Sequence, residues 1–216
     1  MRTLAVAKNS VRAAANALRC WMENRKSDRR RILITGGGGF IGSAIASHAI
    51  SRGHQVYVAD DLSTGIAEAV PAEARLIEID LSCRQDVDCL FRDVQPDVVS
   101  HHAAQSAVAG SLDDPAIDLP SNYAALLNVL NASVATAAGH FIFASSCSVY
   151  GNCAVPADET MPLNPLSPYG ISKAAGEHYV ELNRFAWTES LVLVLFQAGF
   201  AVCLCRLSRS SALARW

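Results

Sequence analysis

The 216-residue sequence lacks the cysteine spacing of a metal site or of a disulfide framework. Its seven cysteines are scattered, and Cys203 and Cys205 have no His or Cys partners at the distances that a zinc finger requires. We therefore predict no bound metal and no disulfides. Such cysteine usage fits a reducing compartment, so we expect a cytoplasmic protein.

The sequence also lacks an excess of charge of either sign, since its formal net charge is −2. Nothing in the overall balance indicates binding to nucleic acid or to a membrane surface. The apolar run at residues 191–205 is shorter than the roughly 20 residues that span a bilayer. The length instead suits one full domain with a sizeable core.

The first 30 residues lack the features of a folded segment. Residues 1–20 are rich in Ala and Arg and nearly free of acids, which is also true of transit peptides, but they lack the continuous apolar core of a secretory signal. Residues 22–31 form a polar lead-in to the first strand, so Met22 is an alternative start. We favour a disordered or over-extended N-terminus over a targeting segment.

The sequence does contain a glycine-rich turn between a strand and a helix. A short apolar run ends in four consecutive glycines, and helical periodicity begins at Phe40. This context is the one that a phosphate-binding fingerprint requires. Gly36 permits the tight turn, Gly39 lets backbone approach a pyrophosphate, and Gly42 lets the helix pack closely on the strand. The helix start offers free N–H groups and a positive dipole end to the phosphates.

An acidic residue ends the next predicted strand, residues 55–60. Asp60 lies roughly 20 residues beyond the glycines, where the ribose-binding carboxylate of a dinucleotide site is expected. A structural loop followed by a chance acid is the alternative. The glycines, the two strands and the acid together favour a dinucleotide site.

Short β-type runs alternate with helical segments in residues 31–190. We predict further strands at 75–80, 98–101 and 140–146, and helices at 85–94, 116–138 and 168–187. This order predicts an α/β fold of the Rossmann type, a doubly wound parallel sheet with helices on both faces. Ligands of such sheets bind beyond the carboxyl ends of the strands, which is where Asp60, Asp80, His101 and Ser146 fall.

A phenol and an ammonium group lie one turn apart in the last predicted helix. Ser167 can cap this helix and Pro168 suits its first position. Tyr169 and Lys173 then share one face. A nearby Lys and a cationic nicotinamide ring favour phenolate, so we expect a lowered pKa for Tyr169 and a role as general base.

Five ordered motifs resemble those of the extended short-chain dehydrogenase/reductase family, and within it the NAD-dependent epimerase/dehydratases like UDP-glucose 4-epimerase. They are residues 35–42 (TGGGGFIG), 60–65 (DDLSTG), 101–105 (HHAAQ), 145–151 (SSCSVYG) and 167–173 (SPYGISK). The resemblance covers about residues 30–183.

The resemblance implies NAD as the cofactor. Asp60 would bind the adenosine ribose, and no Arg follows it, which favours NAD over NADP. Asp80 and Leu81 would flank adenine, and Lys173 would hold the nicotinamide ribose. The cofactor-binding residues that it implies are Gly36, Gly39, Phe40, Ile41, Gly42, Asp60, Asp80, Leu81, Ala103, Ala104, Asn122, Tyr169 and Lys173.

The resemblance also implies a reaction on a nucleotide sugar, in the first place a UDP-hexose. Tyr169 would take the proton of the sugar C4 hydroxyl while hydride passes to NAD, and a 4-keto sugar would turn over before hydride returns. Ser146 would bind the reacting hydroxyl, with Ser145 and Ser148 as alternatives if the register is shifted. Dehydratases and decarboxylases begin with the same step, but Cys147 stands where dehydratases usually have an acid.

Two departures from the family pattern lead to further expectations. The usual Gly-Thr pair is Ala125 and Leu126 here, which we expect to crowd the helix packing. Residues 191–216 carry no family motif, so we expect an atypical tail with one strand at 191–196 and a C-terminal substrate lobe that is largely missing. An inactive, truncated NAD-binding remnant is therefore an alternative. The resemblance further implies a homodimer through helices 116–138 and 168–187.

Overall fold

The computed structural model describes residues 29–152 and 161–183, and the backbone of residues 190–196 and 204–207. The strands are β1 (Arg31–Thr35), β2 (Gln55–Asp60), β3 (Arg75–Glu78), β4 (Val98–His101), β5 (His140–Ser146), β6 (Ser190–Phe196) and β7 (Leu204–Leu207). The α-helices are α1 (Phe40–Ser51), α2 (Arg84–Val94), α3 (Val108–Asp113), α4 (Ala125–Ala135) and α5 (Pro168–Leu182). A π-helical turn, Leu119–Ala124, precedes α4.

The strands form one sheet in the order β3-β2-β1-β4-β5-β6-β7. All neighbours from β3 to β6 pair in parallel, and β7 pairs antiparallel with β6. The chain leaves β1 in one direction towards β2 and β3 and returns to the other side of β1 as β4. This arrangement confirms the predicted doubly wound fold, and the crevice between β1 and β4 is the usual ligand position in it.

The central strands are apolar on both faces because helices cover both sides of the sheet. Ile32 and Ile34 belong to one core with α1, whereas Leu33 belongs to the other core with α2 and α4. Every residue of β5 is buried. The alternating faces of β1 thus explain why the predicted strand reads as a continuous apolar run.

The predicted helix over 116–138 is divided in the structure. Asp118 and the π-helical turn come first, and regular α-helix begins only at Ala125 and ends at Ala135. Pro120 lies in the first turn of this π-helical segment. Proline has no backbone N–H, so it fits the start of a helix, where that N–H would have no partner within the helix. The spacing of apolar residues in the sequence is typical of both α-helix and π-helix and does not distinguish the two.

The C-terminal tail contains one strand more than predicted. We expected a single strand at 191–196 followed by irregular chain, but β7 pairs with β6 through Leu191↔Leu207 to Val194↔Leu204. Antiparallel pairing across a short connection requires no helix between the strands, so periodicity alone does not reveal it.

The predicted N-terminal extension, residues 1–30, lies almost entirely outside the described residues. The domain boundaries therefore stay predictions.

The expected crowding at Ala125 and Leu126 is avoided by a glycine on the facing helix. Leu126 is buried, and a Cβ placed on Gly176 of α5 would lie 3.0 Å from its Cδ2 atom and 2.6 Å from Cζ of Phe143. Since Gly176 has no side chain, α5 approaches α4 and β5 closely at this point.

Among the described residues, none of the helices has both the length and the apolar character of a membrane-spanning segment.

Candidate active site

A cavity of about 470 Å³ opens beyond the carboxyl ends of β1, β2, β4 and β5. It brings together every predicted site residue except Asn122. These residues are Gly36, Gly39, Phe40, Ile41, Gly42, Asp60, Asp80, Leu81, Ala103, Ala104, Ser146, Tyr169 and Lys173. The switch in strand order between β1 and β4 places them around one cleft, as expected for this fold.

The glycine turn has the geometry that its three glycines predict. Gly36 has a φ of +69°, and a Cβ on it would lie 2.5 Å from the backbone nitrogen of Ala103. A Cβ on Gly42 would lie 2.3 Å from the Gly36 carbonyl oxygen. Gly39 caps α1 with extended backbone, and its Cβ position meets only that same carbonyl, at 3.3 Å. The fold of the protein itself therefore requires glycine at Gly36 and Gly42, whereas Gly39 leaves open space on the cavity side.

Asp60 is a buried carboxylate at the end of β2. Its Oδ2 accepts a hydrogen bond from the Gly38 N–H at 2.8 Å, and its Oδ1 accepts one from the Leu62 N–H at 2.9 Å. Each carboxylate oxygen retains further acceptor capacity towards the cavity. Gly65 lies directly against the carboxylate, since a Cβ there would be 2.7 Å from Oδ1. Asp60 thus ties the glycine turn to the loop after β2 and still faces the cavity.

A buried polar group lies behind the glycine turn, and the sequence analysis did not assign it a role. A hydrogen bond of 2.8 Å joins the Thr35 hydroxyl to Nδ1 of His101, which is stacked near Phe143. The same hydroxyl accepts hydrogen bonds from the backbone N–H groups of His102 and Ala103. Burial lowers the pKa of His101 well below its ordinary value and that of His102 to about 3. Both rings are therefore neutral at pH 7.

The catalytic candidates meet at the β5 end of the cavity. Tyr169 hydrogen-bonds the Ser146 hydroxyl, and the Lys173 ammonium donates to the Ala144 carbonyl at 3.0 Å. Ser145, the alternative serine, instead donates to the carboxylate of Glu177 on α5. The side chain of Ser146 is thus the one that reaches the phenol, which favours the predicted register.

The expected lowering of the Tyr169 pKa by Lys173 is wrong for the protein groups alone. Burial raises the pKa of the phenol above its ordinary value, and the hydrogen bond to Ser146 opposes this only in part. The Lys173 nitrogen is 5.9 Å from the centroid of the Tyr169 ring. Burial also lowers the pKa of Lys173 to about 8, while the charge of Asp118 opposes that shift. Lys173 is still mostly protonated at pH 7.

Asn122 does not line the cavity, contrary to the prediction. Its Oδ1 accepts from the Gln105 N–H at 2.9 Å, and its Nδ2 contacts Oγ of Ser172 at 3.0 Å and Oδ1 of Asp118 at 3.2 Å. The π-helical turn directs this side chain towards α5 and the loop after β4. Asn122 therefore supports the cavity wall through Gln105 and does not itself line the cavity.

Sequence reasoning missed several residues of the cavity wall. Ser145, the alternative to Ser146, also lines the cavity, and the residues without an assigned role are Asp61, Ser63, Thr64, Gly65, Ile79, His102, Gln105, Ser106, Ser121, Ala125 and Ala144. Several of them lie in the motifs at 60–65 and 101–105 and others lie near strand ends, but neither signal tells which side chains point inwards.

Comparison with known families and structures gives consistent matches. The model of the NAD dependent epimerase/dehydratase family matches residues 32–197. The UDP-glucose 4-epimerase of Mycolicibacterium smegmatis is 36% identical over 160 residues, which cover 71% of this chain and 51% of that protein. The chain thus spans about half the length of the curated relatives that it matches.

Solved structures give the same result for the fold. The Thermus thermophilus UDP-glucose 4-epimerase, solved in complex with NAD, superimposes with a TM-score of 0.72 at 39% identity, covering 76% of this chain and 53% of its own. The Thermotoga maritima UDP-glucose 4-epimerase, solved with UDP-glucose, has a TM-score of 0.72 at 36% identity, covering 76% and 54%. The chain therefore shares the fold of these two neighbours over about three quarters of its length.

Proposed function

Because the chain belongs to the NAD dependent epimerase/dehydratase family, we propose that its cavity binds NAD and serves the 4-epimerisation of a UDP-hexose. The observation that carries the proposal is the convergence of the glycine turn, Asp60, Ser146, Tyr169 and Lys173 on one cleft. Relatives with the same fold are UDP-glucose 4-epimerases. The proposal extends to a transient 4-keto sugar as the reaction intermediate.

The residues of the cavity fit a dinucleotide. Gly36 and Gly42 leave no room for side chains, so backbone and the first N–H groups of α1 line the pyrophosphate position. Asp60 has acceptor capacity for ribose hydroxyls, and its negative charge disfavours the additional phosphate of NADP. Asp80 and Leu81 hold the adenine end, and Lys173 holds the nicotinamide ribose. When bound, NAD supplies the hydride acceptor and donor.

We assign the proton transfer to Tyr169. Its phenolate oxygen, the form that the Lys173 ammonium and the positive charge of bound NAD would favour, would accept the proton of the sugar C4 hydroxyl as hydride leaves that carbon for NAD. The resulting phenol would return the proton when the 4-keto group is reduced on its other face. Ser146 donates to or accepts from the same hydroxyl, which orients it towards the phenol. Lys173, held by the Ala144 carbonyl, places a positive charge 5.9 Å from the centroid of the Tyr169 ring. All three side chains are buried at the β5 end of the cavity.

Two alternatives to epimerisation use the same cavity. A dehydratase or decarboxylase also forms a 4-keto sugar, but Cys147 follows Ser146 where an acid usually assists elimination of water, which favours epimerisation. A chain that binds NAD without turnover is the second candidate. The matched region spans 51% of the length of the Mycolicibacterium smegmatis relative, so turnover by this chain is kept as a separate part of the test.

The test is the NAD content of the purified chain, combined with conversion of UDP-galactose to UDP-glucose on the same sample. We expect bound NAD released by denaturation, and turnover if the cavity and the tail suffice for the sugar. NAD without turnover would support the second candidate. Failure to bind NAD even on titration would overturn the proposed function.

We also propose a cytoplasmic homodimer. The cytoplasmic location rests on the cysteine usage described above. The dimer rests on the resemblance and on exposed apolar side chains of α5, of which Ile171 is 50% exposed and Leu182 is 73% exposed. Both lie on the same helical face, which a second copy would cover.

Ile171→Glu combined with Leu182→Glu is therefore expected to convert a dimer into a monomer. A pair of buried carboxylates in each copy is incompatible with an apolar interface. Sedimentation velocity measures the change, and Leu112→Glu, which alters an equally exposed apolar residue on α3, is the control. A wild-type chain that sediments only as a monomer would remove the proposal.

A further inference from the structure

A side-chain amide on α4 anchors the second part of the loop that forms one end of the cavity, and the first part is joined to β2 by the Ile79 N–H, which donates to the Asp60 carbonyl. Nδ2 of Asn128 donates to the Leu81 carbonyl at 3.0 Å and to the Ser82 carbonyl at 2.9 Å. The amide has two N–H groups, so both of its donors are directed to consecutive carbonyls of this loop. Asn128 is half-buried and lies three residues beyond Ala125, which lines the cavity wall.

The same loop contains the residues that we assign to adenine. Ile79, Asp80 and Leu81 line the cavity. The Ser82 N–H donates to Oδ1 of Asp80 at 2.8 Å, and the Cys83 N–H donates to the Asp80 carbonyl at 3.1 Å. These bonds shape the loop internally but connect it to no other element. Asn128 connects it to α4 across 47 residues of sequence.

The two bonds fix the orientation of the peptide groups on both sides of Ser82. With the carbonyls of Leu81 and Ser82 held, the backbone at Leu81 cannot rotate without leaving acceptors unpaired. The Asp80 carboxylate and the Leu81 backbone therefore keep one arrangement towards the cavity. A loop fixed in this way presents a constant pattern of acceptors and donors to a planar heterocycle.

We propose that Asn128 is a positioning residue for adenine, which makes the cavity selective for the exocyclic amino group of that base. The inference rests on the proposed function, because it requires a dinucleotide in the cavity. Asn128 itself does not line the cavity. It acts through the loop, so its effect is on discrimination between bases and not only on affinity.

The experiment compares NAD with nicotinamide hypoxanthine dinucleotide, in which the amino group is replaced by a carbonyl. Dissociation constants are measured by calorimetry for the full chain, for Asn128→Ala and for Asn128→Asp. We expect Asn128→Ala to weaken NAD binding about tenfold through the loss of two hydrogen bonds, and to bring the adenine preference close to one. Asn128→Asp should weaken it more, because its carboxylate faces two carbonyl oxygens. Asn131→Ala, an exposed change on the same helix, should leave both constants unaltered.

The outcomes separate the inference from the proposed function. A wild-type chain that binds neither dinucleotide would overturn both. A wild-type chain that binds NAD, together with an Asn128→Ala variant that keeps the full adenine preference, would overturn only the role of Asn128, even if the variant were less stable. If Asn128→Ala does not fold, Asn128→Asp, which keeps the size of the side chain and removes both donors, gives the same comparison between the two dinucleotides.

Discussion

Tyr169→Phe is expected to abolish epimerisation while the dissociation constant for NAD stays nearly unchanged. The substitution removes only the phenolic oxygen, which we assign to proton transfer, and keeps the ring packed at 8% exposure. Loss of a general base costs about 10²- to 10⁴-fold in rate. The measurement is conversion of UDP-galactose, and hydride transfer within one turnover is followed by the absorbance of reduced NAD. If the wild-type chain lacks net turnover, the single hydride transfer is compared.

The control for this experiment is on the same helix. Tyr179→Phe removes a phenolic oxygen from a residue that is 38% exposed and does not line the cavity, so rate and affinity should both stay at wild-type values. Loss of NAD binding together with turnover in Tyr169→Phe would show that Tyr169 is a structural residue. Full activity in that variant would remove it from the mechanism.

Gly39→Ala is expected to abolish tight NAD binding without unfolding the protein. Gly39 has a φ of −81°, and its Cβ position meets only the Gly36 carbonyl at 3.3 Å. The protein can therefore accept a methyl group there with a change in unfolding free energy of about 1 kcal/mol or less. The methyl group would occupy the space that we assign to the pyrophosphate. We expect NAD affinity to fall about 100-fold, equivalent to ~2.7 kcal/mol.

Gly42→Ala should behave differently because its new methyl group meets the protein itself. The Cβ atom would lie 2.3 Å from the Gly36 carbonyl oxygen and 2.7 Å from the Gly37 Cα, and neither backbone atom can rotate away. We expect a loss of about 3 kcal/mol in unfolding free energy as well as loss of NAD binding.

Thermal unfolding and calorimetric titration distinguish the two glycine variants. The control is Gly53→Ala. Gly53 has a φ of +85° and no neighbour within 4 Å of its Cβ position, so only backbone strain of about 1 kcal/mol and an unchanged NAD affinity are expected. Wild-type affinity in Gly39→Ala would contradict the assigned pyrophosphate position.

The sheet could be predicted from sequence because its strands are short apolar runs with clear boundaries. β1 lies between basic residues and glycines, and β4 follows Pro96 and Asp97. The ion pair of Arg31 with Asp97 at 3.2 Å joins the beginnings of these two neighbouring strands. The position of the site followed from the fold rule that ligands bind at the carboxyl ends of the strands.

The direction of individual side chains could not be predicted in the same way. The family resemblance implies a cofactor contact for Asn122, but the π-helical turn points it towards Gln105 and Ser172. Helical periodicity in sequence does not show a local change in helix geometry. The anchoring amide of Asn128 was missed for a related reason, since its partners are 46 and 47 residues away and are backbone carbonyls.

The pKa of Tyr169 could not be predicted from the spacing of Tyr169 and Lys173, because it depends mainly on burial in the folded protein. Sequence identifies Lys173 as a neighbour on the same helical face, which by itself favours a lower pKa. Burial depends on how α5 packs against β5 and the loop before α4, and in the folded protein burial is the larger effect and raises the pKa. The Ser146 hydrogen bond that opposes it is likewise a tertiary contact.

During synthesis on the ribosome, β1 and β2 emerge well before β4. The hydroxyl of Thr35 has its partners on His101, His102 and Ala103, so the floor of the glycine turn is completed only when β4 has inserted next to β1. Until then, the nascent chain carries an unpaired edge of β1, whose central residues Ile32, Leu33 and Ile34 are apolar, and such an edge is the kind of surface that chaperones bind and that aggregates form on. Parallel pairing over such a separation is slow. The glycine turn and the cavity above it are therefore completed late in the synthesis of this domain, after β4 has paired with β1.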